Sequence, residues 1–112
     1  MSNDPIFTAK LFKAKTWPMP LKVEIRPLHG LFVHQFVRFT VKRAAEDLGL
    51  MVQVTTWDTA TYIDFSCNWE ERQLLLELLR EQYGDRPAAK TFFEIVEAAE
   101  IEFVNNIELD EA

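Results

Sequence analysis

Between Leu31 and Cys67 the apolar residues change their spacing, and that change restricts the fold more than any other feature of the chain. From Leu31 to Leu48, the residues Val33, Phe36, Val37, Thr40, Val41, Ala44 and Leu48 recur at helical intervals. His34, Gln35, Arg38, Lys42 and Glu46 share the opposite side. The spacing predicts an amphipathic helix, stopped by Gly49. Its β-branched residues lower intrinsic propensity, but burial of a whole face outweighs that loss. Directly afterwards the period becomes two. Leu50, Val52 and Val54 alternate with Met51, Gln53, Thr55 and Trp57, and after Asp58-Thr59-Ala60 the segment from Thr61 to Cys67 turns Ile63, Phe65 and Cys67 inward. Two half-buried strands about a short polar turn read as an antiparallel hairpin, so both secondary-structure types must share one core.

The flanks extend the pattern. Ile6 to Lys13 alternates loosely, Phe7, Ala9 and Leu11 against Thr8, Lys10 and Phe12, and is expected to form an edge strand guarded by lysines. Pro18 and Pro20 then hold the chain extended. Leu21 to Arg26 reads as a second strand, ended by Pro27 and a turn at His29-Gly30. Asn68 with Glu71 suits a capping box for a helix over Trp69 to Tyr83, whose leucines span a wide arc. Gly84 ends it. A last helix from about Ala88 to Asn105 follows, with a seam of Phe92, Val96, Ala99 and Phe103, and residues 106–112 read as a frayed acidic tail. The expected fold is α+β, a small two-layer sandwich in the order β-β-α-β-β-α-α with an antiparallel or mixed sheet. Its inner part resembles the split β-α-β pattern of a ferredoxin-like domain.

All 112 residues are expected in a single domain. Nine Phe and three Trp against three Gly supply ample apolar surface for a core. One cysteine rules out an internal disulfide and suits a reducing compartment, and no stretch has the continuous apolar h-region of a secretory start or the length to span a bilayer. A cytoplasmic location is therefore expected. The net charge of −6 is unevenly distributed. Residues 1–50 carry eight Lys/Arg against four Asp/Glu, a balance of +4, and residues 51–112 carry four against fourteen, a balance of −10. Such asymmetry speaks to partners and steering. An acidic chain argues against broad nucleic-acid binding.

No reaction announces itself. HExxH, a Gly-rich phosphate loop and GxSxG do not occur. His29, His34 and Cys67 are the soft ligands available, and their spacing matches no zinc pattern. Cys67 precedes a helix N-terminus, where a thiol can be activated, yet it faces inward with Ile63 and Phe65. Asp58, Asp64, Glu70 and Glu71 are explained by turns, solvent and the helix dipole. No catalytic residue, metal or cofactor is assigned.

The residues out of place are aromatic. Phe32 and Phe39 stand off the apolar face of the first long helix, between Gln35 and Arg43, a composition resembling the anchors and rim of a protein interface. Trp57 and Tyr62 lie on the outer face of the hairpin, and Ile95 and Ile101 flank the last seam. His34, Arg38 and Lys42 form a basic stripe, and Glu94, Glu97, Glu102, Glu108, Asp110 and Glu111 an acidic face. The expected function is a small protein-binding regulatory or adaptor module. Its partner is another protein or itself, with a homodimer favoured over a monomer and no membrane. The interface is assigned to Phe32, Gln35, Arg38, Phe39, Lys42, Arg43, Trp57 and Tyr62. A nucleic-acid reading would use Arg38, Lys42, Arg43 and, if they fold beside them, Lys10, Lys13 and Lys15. A third reading, an enzyme, would need Asp64, Cys67 or His34 to line a pocket.

Overall fold

The computed structural model describes residues 5–17 and 19–109, so Pro18, Asp110 and Glu111 lie outside the described residues. The fold is α+β: helices α1 (Pro5–Thr16), α3 (Trp69–Tyr83) and α4 (Pro87–Asn105), a continuous helix α2 over residues 31–47, and strands β1 (Leu21–Ile25), β2 (Val52–Trp57) and β3 (Ala60–Phe65). The sheet is antiparallel throughout, in the order β1-β3-β2. Among the described residues no helix is long and apolar enough to cross a membrane.

The N-terminal segment corrects the expected strand order. It is a helix, so the order is α-β-α-β-β-α-α. The loose alternation over Ile6 to Lys13 hid a helical triplet, Phe7, Leu11 and Ala14, which turns toward α3 and α4. Ile6 and Phe12 are exposed. Pro5 begins the helix, where its missing N–H costs nothing. Lys10 and Lys13 reach back to the far end of α4, donating to the carbonyls of Asn105 (2.8 Å) and Glu108 (2.7 Å). Cations there also meet the negative end of the α4 dipole. Ile107, two residues beyond α4, packs against the core.

Every second residue of β1 and β3 enters the core: Leu21, Val23 and Ile25 face Phe65, Ile63 and Thr61 in register. α2, α3 and α4 cover this side, and Phe36 joins them by edge-to-face contacts with Tyr83 (5.8 Å) and Phe92 (5.7 Å). Among the described residues no helix lies over the opposite side, with Lys22, Glu24, Gln53, Thr55, Trp57, Tyr62 and Asp64, since α1 packs against α3 and α4 instead.

α2 is α-helical over Leu31–Gln35, π-helical over Phe36–Val41 and α-helical again over Lys42–Asp47. The buried seam explains this. Val33, Val37, Val41 and Ala45 recur at strict intervals of four. At 3.6 residues per turn such a row drifts around the helix by about 40° per step. Widening the middle turns keeps the row on the core, as a π segment does. Leu48, expected on the buried face, is instead exposed beyond the helix end, and Ala45 takes the last core position.

Asn68 and Glu71 form the reciprocal cap expected for α3: Asn68 Oδ1 accepts from the Glu71 amide (2.8 Å), and Glu71 Oε1 accepts from the Asn68 amide (3.1 Å).

Candidate protein-binding face

Phe32, Gln35 and Phe39 are exposed on α2, and Arg38 lays its guanidinium 5.6 Å from the Phe39 ring. The chain brings the two aromatic rings to one concavity of about 430 Å³. Its other wall is Arg86, Pro87 and Ala88, where the corner after α3 starts α4. Pro87 at the first helical position sets that corner, and the Arg86 guanidinium is placed 4.9 Å from the Tyr83 ring. Lys42 and Arg43 continue the exposed face, Arg43 pairing with Asp47 at 3.3 Å. Arg38, Lys42 and Arg86 form no ion pair among the described residues.

Trp57 and Tyr62 occupy a different surface. With Lys22, Gln53, Thr55 and Asp64 they line a shallow depression on the open side of the sheet. The interface residues expected from sequence therefore fall on two separate faces. Glu94, Glu97 and Glu102 are exposed on α4, spread over about 140° of its circumference, and Glu97 borders the groove beneath α1. Glu108 lies past the helix end and is exposed.

The basic stripe loses its first member. His34 is half-buried, with Nε2 donating to the Arg26 carbonyl and Nδ1 hydrogen-bonded to the Thr61 hydroxyl, both at 2.8 Å. A carbonyl can only accept, so Nε2 carries a proton in this arrangement. The ring ties α2 to the end of β1 and to β3. Thr61 is fully buried. His34→Ala should therefore lower stability by about 1–3 kcal/mol in a denaturant titration, because the Thr61 hydroxyl loses its partner. A loss below a few tenths would contradict that role. His29 is a turn residue, its Nδ1 accepting from the Arg26 amide at 2.9 Å.

The basic residues proposed for nucleic acid do not gather either. Lys10 and Lys13 are tied to the C-terminal end of α4, whereas Arg86 and the α2 face lie at its N-terminal end. A helix of 19 residues separates them by roughly 28 Å.

Asp64 and Cys67 line two different depressions, and His34 is engaged with Arg26 and Thr61 instead. Cys67 is buried at the base of a depression between the end of α1 and the start of α3, and burial pushes its thiol pKa up. A thiol held protonated is a poor nucleophile. A thiol reagent at neutral pH should modify native Cys67 far more slowly than the denatured chain, and equal rates would show the thiol to be open. Among the described residues no three His, Cys, Asp or Glu side chains gather as metal ligands.

One cluster escaped the sequence reading. Arg72 is completely buried, its Nε donating to Glu100 Oε2 at 2.8 Å. Gln73 Nε2 donates to the same oxygen at 2.8 Å, the Arg72 guanidinium lies 4.7 Å from the Trp69 ring, and Met19 Sδ approaches Nη2 at 3.9 Å. Among the described residues Nη1 has no hydrogen-bond partner. The cluster joins α3, α4 and the segment entering β1.

No protein-family model, curated protein or solved structure matches this chain.

Proposed function

We propose that this chain is a small regulatory or adaptor module that binds another protein through the Phe32–Phe39 face of α2. One observation carries the reading: two large exposed aromatic rings share a concavity lined by Arg86, and among the described residues neither Arg86 nor Arg38, beside the Phe39 ring, has an ion-pair partner. Aromatic and arginine side chains dominate the energetics of protein interfaces. A partner presenting an apolar side chain beside carboxylates would fill the concavity and satisfy Arg38 and Arg86. The exposed carboxylates of α4 would orient its approach from a distance. The reading needs neither cofactor nor membrane, and a free buried thiol suits the cytoplasm.

The test is capture from native lysate, with and without nuclease, using wild type and the Phe32→Ala/Phe39→Ala double variant. A stoichiometric protein that survives nuclease and is lost with the double variant supports the reading. Binding that vanishes with nuclease, or ignores both substitutions, refutes it.

A further inference from the structure

The two edges of the sheet are built differently. A free edge presents unpaired N–H and C=O groups, which proteins blunt with charges and prolines. β1 has these guards: Lys22 and Glu24 point outward, and Pro20 and Pro27 bracket the strand. β2 has none, for residues 48–57 contain neither a charge nor a proline.

The phase of the ladder identifies which groups are free. Residues of an antiparallel strand direct their backbone groups alternately toward and away from the partner. The Met51 carbonyl accepts from the Ser66 amide at 2.9 Å, and Trp57 pairs with Ala60 across the two-residue turn. Met51, Gln53, Thr55 and Trp57 therefore bond toward β3, and Val52, Val54 and Thr56 toward the open edge. The Val52 amide is used by the Leu50 carbonyl (3.0 Å). Among the described residues, both backbone groups of Val54 and Thr56 and the carbonyl of Val52 remain to be paired.

We propose that β2 pairs antiparallel with β2 of a second copy about a twofold axis beside Val54, merging two three-stranded sheets into one of six strands. In this register Val54 meets its own symmetry mate, and Val52 meets Thr56. These core-facing positions are the ones the chain's own helices leave open: Val52 and Val54 are half-buried and Thr56 is exposed. On the other side of the sheet Gln53 faces Thr55, and Met51 faces Trp57. Met51 and Trp57 are 72% and 76% exposed, and each stands three residues from Val54, so the twofold covers both at once. An uncharged strand can lie against itself without like-charge repulsion, which a chain of net charge −6 would meet on its acidic surfaces. A second copy is thus the occupant this edge suits. The inference is independent of the α2 face, which lies elsewhere.

Sedimentation velocity of the full chain over a range of concentrations should show a monomer–dimer equilibrium. Gln53→Lys/Thr55→Lys and Gln53→Glu/Thr55→Glu alter exposed side chains only, and circular dichroism checks that each still folds. Each variant alone sets like charges directly opposite, raising the dimer Kd roughly tenfold or more. Mixing the two should restore dimers at wild-type strength or tighter, because every cross-strand pair then becomes attractive. Phe32→Ala/Phe39→Ala should leave the dimer intact. A wild type that stays monomeric at every concentration overturns the proposal. So does a dimer that ignores the charges, one that mixing fails to restore, or one abolished at Phe32 and Phe39.

Discussion

Glu100→Ala should destabilise the fold by about 3–5 kcal/mol, the range expected when one member of a buried ion pair is removed. Arg72 would keep its charge in a site without solvent access, beside the Trp69 ring and the Met19 sulfur. Its Nη1 already lacks a partner among the described residues, so little remains to share the loss. The reverse change is milder. After Arg72→Met, Glu100 still accepts from Gln73 and its side chain retains some solvent contact, 13% of its surface, while the methionine fills most of the vacated volume. Urea titrations of both variants read the difference directly. Equal costs, or a Glu100→Ala loss under about 1 kcal/mol, would mean that Arg72 finds water in the native state.

The second large effect separates aromatic residues within one helix. Phe36→Ala should cost about 3–5 kcal/mol, since the ring is buried and contacts both Tyr83 and Phe92. Phe32→Ala and Phe39→Ala should each change stability by less than about 0.5 kcal/mol, because both rings are mostly in solvent. Their effect should fall on binding. An interface anchor is worth about 2 kcal/mol or more, roughly thirtyfold in Kd. Thermal melts and titration with the captured partner test the two halves separately. A large stability loss at Phe32 or Phe39 would place those rings inside the fold rather than at an interface.

What could be read in the sequence was what local chemistry determines. The hairpin at Asp58-Thr59 and the α3 cap rest on neighbours in the chain, and both formed where expected. The N-terminal segment did not, because its helical triplet is justified only by contacts with α3 and α4 far along the chain. The π segment in α2 was legible in principle as the four-residue interval from Val33 to Ala45, but reading at 3.6 smoothed it into an ordinary face and carried Leu48 into the core. Arg72 left a comparable trace. It opens the buried stripe continued by Leu75, Leu76 and Leu79, and Glu100 stands between Val96 and Val104 on the stripe of α4. Two opposite charges at core positions of adjacent helices were on the page, and the abundance of surface glutamates obscured the one turned inward. For the binding face, the sequence placed Phe32 and Phe39 together, but the wall formed by Arg86 and Pro87 depends on tertiary packing.

The Arg72–Glu100 pair also limits how the two helices can be misassembled. Stripes of leucine, valine and phenylalanine tolerate sliding, because one apolar contact replaces another at little cost. A shift of α4 along α3 by one turn, about 5.4 Å, would carry Glu100 out of reach of the guanidinium and strand both charges away from water. The native alignment sets Glu100 Oε2 at 2.8 Å from Arg72 Nε and so neutralises the buried arginine. The pair then serves less as glue than as an index mark, making the neighbouring registers too unfavourable to populate.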